Sequence, residues 1–252
     1  MSSNVRVISK TAQGRRPYQE DRVCDNPIND KYRLVGVFDG HGGAQVAEFC
    51  KNNFPVVLSQ VLMHTHEKDV ALRWSFYTMD MLVEKLNMPH VGSTAVVALL
   101  TPSSVWFANA GDSMAMVVYK SGKAELVSVE HKVENKEEQE RMVKNGGTIT
   151  YDDGCARIER TLNVSRSIGD FHMKRHVISI PFVRSISRVF DTIDYCLLAS
   201  DGVWDVFNTR GLANIVSSSP DNIDAALDSI IELSTTHGAD NATITYIDWK
   251  GF

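Results

Sequence analysis

The sequence predicts an α+β fold in which antiparallel sheets carry helices on their outer faces. Three observations lead there. The two longest helical patterns, 44–63 and 68–86, are adjacent and form an antiparallel hairpin. A set of short, β-branched-rich segments follows, joined by turns. The strand–helix–strand alternation of a doubly wound parallel sheet is missing.

The strand segments are 5–10, 34–38, 93–100, 105–110, 114–119, 124–128, 195–199 and 242–247. Lys120-Ser121-Gly122-Lys123 supplies a hairpin loop. Helical spacing of apolar residues, three and four apart, recurs over 136–145, 206–217 and 220–235. Asp221, Asp224 and Asp228 lie in the first turns of the last segment, where carboxylates complement the helix dipole. Pro55 marks a kink or an end in the first helix. No repeat, low-complexity tract or linker divides the chain, so 1–252 reads as a single domain.

At 252 residues the chain can bury a large core. A net charge of −5 argues against a nucleic-acid partner. The N-terminal residues have no apolar signal core, and apolar runs such as 95–100 are too short to cross a bilayer. The expectation is a monomer in the cytoplasm and/or nucleus with no membrane partner. Cys24, Cys50, Cys155 and Cys196 are scattered without zinc-site spacing and read as reduced, structural thiols. The sequons at Asn163 and Asn241 read as chance matches.

Acidic residues at turns carry the chemistry. Asp39-Gly40-His41-Gly42-Gly43 follows the apolar run Val35-Gly36-Val37-Phe38. Asp201-Gly202 follows Tyr195-Cys196-Leu197-Leu198-Ala199-Ser200, Asp240-Asn241 precedes the last strand, and Glu20-Asp21 precedes a short one. Each alone is an ordinary turn dipeptide. Together they suggest carboxylates converging on one sheet edge, where a divalent cation relieves their repulsion. All-oxygen ligands suit Mg²⁺ or Mn²⁺. Two such ions about 3.5–4 Å apart can activate a water and clamp phosphoryl oxygens. Arg16, four residues before Glu20, offers a planar fork for a phosphate dianion, while Arg15 reads as a surface charge. His41 can hold a proton for a leaving alkoxide or serve as a structural imidazole. The other histidines, 64, 66, 90, 131, 172, 176 and 237, have no comparable setting.

On these motifs the chain resembles the metal-dependent Ser/Thr protein phosphatases of the protein phosphatase 2C family. Arg16-Pro17-Tyr18-Gln19-Glu20-Asp21, Phe38-Asp39-Gly40-His41-Gly42-Gly43, Gly92-Ser93-Thr94-Ala95 and Asn109-Ala110-Gly111-Asp112-Ser113 occur in the family's order. Residues 162–170, Asp201-Gly202-Val203-Trp204-Asp205-Val206 and Asp240-Asn241 complete the match. The resemblance implies a four-layer α-β-β-α sandwich of two antiparallel sheets flanked by antiparallel helix pairs. It implies two ions bridged by Asp39, with Asp201 and Asp240 on one, and Glu20 and the Gly40 carbonyl on the other. Arg16 would hold the phosphate of a phosphoprotein substrate. A metal-bridged hydroxide would attack phosphorus without a phosphoenzyme, and His41 would protonate the leaving group.

Departures from the pattern are Met114 after Gly-Asp-Ser and Glu130 before His131-Lys132. A weaker third ion, if present, would draw on Asp205 and Glu130. The segment between Gly147 and Leu162, where a substrate-facing flap would begin, is short. The competing reading is a pseudophosphatase of the same fold acting as a binding or regulatory module. A calcineurin-like site is missing its Gly-Asp-x-x-Asp-Arg-Gly and Asn-His elements, and a tyrosine-phosphatase site its Cys-x₅-Arg. Asp201→Asn is expected to lose nearly all metal-dependent turnover while keeping a native circular dichroism spectrum; wild-type-like turnover would refute the assignment.

Overall fold

The computed structural model describes residues 5–152, 154–187 and 193–248. Strands β1 (Arg6–Ala12), β2 (Arg22–Asn29), β3 (Tyr32–Phe38) and the two-residue β4 (Gly40–His41) lead into helices α1 (Gln45–Leu62) and α2 (Lys68–Glu84). Then come β5 (Gly92–Ser93), β6 (Ala95–Leu100), β7 (Ser104–Ala110), β8 (Met114–Tyr119) and β9 (Ala124–Leu126). Helix α3 (Lys136–Lys144) precedes the hairpin β10 (Ile149–Asp152) and β11 (Cys155–Ile158), followed by β12 (Ile168–Gly169) and β13 (Phe182–Ser187). The chain continues through β14 (Ile193–Ala199), α4 (Asp201–Trp204), α5 (Thr209–Ser217), α6 (Ile223–His237) and β15 (Ala242–Asp248).

Two five-stranded sheets, ordered β1-β15-β14-β8-β9 and β13-β7-β6-β3-β2, are antiparallel throughout. Side-chain alternation divides each central strand between two cores. In β6, Ala95, Val97 and Leu99 face α1 and α2, while Val96, Ala98 and Leu100 face the other sheet. In β14, Cys196 and Leu198 face the sheet containing β6, while Tyr195, Leu197 and Ala199 pack under α5 and α6. Both faces are buried, so these strands read as unbroken apolar runs rather than alternating ones. The three cores stack into four layers, α-β-β-α.

The helix pair α1–α2 is locked by Phe54, whose ring meets Phe76 edge-on at 5.1 Å and Phe38 of β3 at 6.0 Å. Pro55 lies inside α1 but does not end it; the buried stripe Val46, Ala47, Cys50, Phe54, Val57 and Leu58 carries the helix through. The hairpin at Lys120–Lys123 forms as its sequence predicts, with Gly122 at φ +81°.

Other boundaries move for local reasons. The expected helix 206–217 starts only at Thr209, because the Asn208 side chain accepts from Gly211 N and caps a new helix there. Asn222 likewise caps α6, leaving Pro220 and Asp221 outside it and Asp224 in its first turn. The expected strand 93–100 breaks at Thr94, whose N–H donates to the Asp39 carbonyl at 2.8 Å. The strand expected over 124–128 ends at Leu126. The sequence does not predict strands β4, β10, β11, β12 and β13. Among the described residues the four cysteines are free, and Cys24, Cys50 and Cys196 are buried; burial pushes the Cys24 thiol up to about 12. Among the described residues no helix is long and apolar enough to cross a membrane.

Helix α3 and the β10–β11 hairpin form a small lobe around Val133, Met142, Ile158 and Val177. Its anchor is Glu138, whose side chain is 5% exposed between Arg166 at 2.6 Å and Arg141 at 2.8 Å. The two guanidiniums in turn donate to the Ile180, His176 and Ser165 carbonyls, tying down residues 165–180. Burial disfavours the carboxylate, but its hydrogen bonds from Arg166 and Arg141 outweigh that and hold Glu138 down at about 2. A depressed folded-state value means the contribution is full above the ordinary glutamate range and is lost as pH falls toward about 2. Glu138→Gln is expected to cost roughly 2–3 kcal/mol at neutral pH, less than a fully buried pair because both arginines keep some solvent. Urea denaturation of both proteins from about pH 6 to about pH 2.5 should show the difference shrinking in acid.

Candidate active site

Among the described residues, five chain segments at one end of the sandwich deliver acids to a single cavity of about 320 Å³, Glu20 from the loop after β1 and four aspartates. Asp39 closes β3, Asp112 occupies the turn from β7 to β8, Asp201 opens α4 directly after β14, and Asp240 precedes β15. Carboxylate oxygens of Asp39, Asp112 and Asp201 all lie within 4.8 Å of one another. Glu20, Gly40, His41 and Arg16 line the same cavity, so the acids, imidazole and guanidinium singled out in the sequence around Asp39 meet here.

The backbone makes this convergence possible through close approaches. A Cβ on Gly202 would sit 1.9 Å from the Asn241 carbonyl oxygen, so only glycine lets the start of α4 press against the turn carrying Asp240. Asn241 is 4% exposed and works in the opposite direction. Its Oδ1 accepts from Glu20 N at 2.9 Å, and its Nδ2 donates to the Gln13 and Tyr18 carbonyls. The loop bearing Arg16 and Glu20 is thereby fastened to the Asp240 turn. Beneath them Ser200 Oγ donates to Asp21 at 2.9 Å and accepts from Thr243 N at 3.0 Å.

Burial lifts Asp39 and Asp201 well above the usual carboxylate range, and their neighbouring acids lift them further. Burial raises Asp112 to about 6, with nearby Lys132 pulling the other way. Asp21 is also raised by burial, and its Oδ1 is buried without a hydrogen-bond partner. Crowded, desolvated, exclusively oxygen donors fit a hard divalent cation such as Mg²⁺ or Mn²⁺. They offer nothing to a soft metal.

His41 is held from the opposite side. Its Nε2 lies 2.7 Å from Asp170 Oδ2, which also accepts from Ser167 Oγ. Asp170 is fully buried and left-handed, at φ +52°. A Cβ on Gly92 would fall 2.2 Å from Asp170 Oδ2 and 2.5 Å from His41 Nε2, so this pair requires glycine there. Burial lowers the His41 pKa, but the hydrogen bond and charge of Asp170, with Asp112 and Glu20, overcome it and leave it raised. Helix α2 supports the arrangement: Asp80 accepts from Gly169 N at 2.9 Å and pairs with Lys174 at 2.8 Å.

Arg16 pairs with Asp240 at the rim, its side chain 52% exposed. Arg15 is turned away, donating to the Thr236 carbonyl. The two acids considered for a third ion, Glu130 and Asp205, flank the Lys132 ammonium at 3.1 and 3.3 Å. Met114 is buried in β8. His131 is buried too, and desolvation lowers it to about 4.

Sequence reasoning missed Asp112 as a partner of Asp39, and Asp170 as the partner of His41. Asp112 carried a signal: Ala110-Gly111-Asp112 is again an apolar strand followed by glycine and acid, with the order reversed. Asp170 carried the same one, in Ile168-Gly169-Asp170, at the end of the motif 162–170.

The model of the family "Protein phosphatase 2C" matches residues 6–242. The chain therefore belongs to the protein phosphatase 2C family of Ser/Thr protein phosphatases, which depend on magnesium or manganese. It is 32% identical to bovine "Protein phosphatase 1L", covering 99% of this chain and 73% of that protein. It is 34% identical to rice "Probable protein phosphatase 2C 45", covering 94% and 85%, and 36% identical to Arabidopsis "Protein phosphatase 2C 56", covering 77% and 50%. The fold matches that of a serine-threonine phosphatase 2C from Toxoplasma gondii with a TM-score of 0.85 at 24% identity, covering 99% of this chain and 96% of that one.

If the acid cluster takes divalent cations, ligand binding must stabilise the fold. Saturating Mn²⁺ at about 100 times its Kd is expected to add about 2.7 kcal/mol. Differential scanning fluorimetry should show a higher melting temperature with Mn²⁺ than with chelator. Asp39→Asn should abolish most of that rise.

Proposed function

We propose that the chain hydrolyses phosphoserine and phosphothreonine monoesters of proteins at the Asp39 cavity, with two divalent cations. The observation that carries this is the meeting of Asp39, Asp112 and Asp201 in one cavity with Arg16 and His41. Asp39 would be shared between the ions, with Asp201 and Asp240 on one, and Glu20 and the Gly40 carbonyl on the other. Asp112 lies close enough to Asp39 and Asp201 to join them. Bound there, Mg²⁺ or Mn²⁺ supplies the positive charge that acidifies water and neutralises phosphoryl oxygens.

The chain's own groups do the remainder. The Arg16 fork, now on the Asp240 carboxylate, is the group that holds a phosphate dianion. Asp170 fixes the His41 ring through Nε2, leaving Nδ1 as the nitrogen that can give a proton to the departing Ser or Thr oxygen. No cysteine lines the cavity among the described residues, which supports direct attack by water rather than a cysteinyl phosphoenzyme. A weaker third ion at Glu130 and Asp205 would have to displace the Lys132 ammonium. Residues 1–252 would act as one catalytic domain, as a monomer, in the cytoplasm and/or nucleus. The pseudophosphatase alternative calls for lost ligands, and Glu20, Asp39, Asp201 and Asp240 are all present.

Hydrolysis of a phosphothreonine peptide, followed by phosphate release, is expected with Mn²⁺ and with Mg²⁺ and should cease with chelator. Absence of metal-dependent turnover would favour the binding-module reading.

A further inference from the structure

A second cavity adjoins the first. It is an open groove of about 910 Å³, and Glu20 lines both. The groove runs between the loop carrying Pro17–Gln19, the first turns of α1 and the chain after α2. Its volume is at the upper end of what ligand sites offer and far exceeds a phosphoserine side chain. Its apolar surface comes from Tyr18, Phe49, Leu86 and Met88, and carboxamides of Gln45, Asn52 and Asn53 lie among them. Carboxamides can bond the N–H and C=O groups of an extended chain whatever its sequence.

We infer that this groove binds the polypeptide flanking the phosphorylated residue and selects a large apolar side chain in it. The inference rests on the phosphatase reading above. Continuity is its first support: a peptide whose phosphate lies against Arg16 passes Glu20 to leave the cavity. Tyr18 is the second. The residue is 73% exposed, so it serves no core, yet its carbonyl accepts from buried Asn241 at 2.9 Å. An aromatic group presented on a pinned backbone is the kind of anchor that dominates recognition. Charge is the third. The groove carries Glu20 and Glu48, and the one cation lining it among the described residues, Arg22, is paired with Glu48. With Glu48 paired to Arg22 and Glu20 assigned above to a metal cation, the groove offers acidic flanks no free cation among the described residues.

The test compares three substrates with Mn²⁺: p-nitrophenyl phosphate, a phosphothreonine peptide flanked by Leu and Phe, and one flanked by Gly and Asp. Wild type should favour the apolar peptide in kcat/KM by roughly tenfold or more, the effect of about one anchor contact. Tyr18→Ala and Met88→Asp should erase that preference while leaving p-nitrophenyl phosphate turnover within about twofold of wild type. If Met88→Asp does not fold, the exposed Tyr18→Ala alone decides. Equal use of both peptides by wild type, or a preference that survives Tyr18→Ala, overturns the inference and leaves the phosphatase reading standing. No turnover of p-nitrophenyl phosphate overturns the phosphatase reading and this inference with it.

Discussion

Gathering several desolvated carboxylates at one point is the constraint on which the rest of this structure depends. Asp39, Asp112 and Asp201 repel one another and are poorly hydrated, so no local sequence preference would bring them together. The sandwich does it by making them the ends of strands that its cores hold rigidly in place. Gly202 against the Asn241 carbonyl, and Asn241 against the backbone of the Arg16–Glu20 loop, close the last ångströms. These contacts lie outside the apolar cores. They would be poor investments for a protein that only had to fold, and they make sense as supports for a cation site.

The histidine side of the cavity solves a different problem. His41 must keep a fixed orientation beside a field of negative charge. Asp170 provides it through one nitrogen, and Asp170 is itself held by Ser167 and by the backbone of β5 and β12, with Gly92 leaving room. Asp80 on α2 then ties that loop to the outer helix layer. One cavity is thus supported from both sheets and from the helices covering one of them.

Much of this is legible in the chain itself. Asp39 and Asp201 announce themselves because an acid at the end of a fully apolar run is a physical anomaly, and glycine beside it signals close approach. The central strands are equally clear, since burial on both faces leaves runs such as Ala95–Leu100 without a polar residue. Less legible are features whose cause lies elsewhere in space. Ile168–Gly169 is a strand only because Gly92–Ser93 pairs with it. Phe182–Ser187 places two apolar residues before two polar ones at a sheet edge, without the strict alternation that would mark it as a strand apart from its partner β7. The break at Thr94 comes from a carbonyl 55 residues away in the chain, that of Asp39. Asp170 ends a recognisable motif, but its partner His41 lies 129 residues away, so its role is not legible locally.

The pairing of β1 with β15 joins Arg6 to Asp248, nearly the full span of the described chain. It also sets a timetable. Glu20 and Arg16 are made about 220 residues before Asn241, which fastens their loop, and Asp240, which completes the cavity. Loop closure over such a separation contributes nothing until both partners exist. A growing chain can therefore bury α1, α2 and their sheet while still on the ribosome. It cannot dephosphorylate anything until β15 has been made and inserted between β1 and β14.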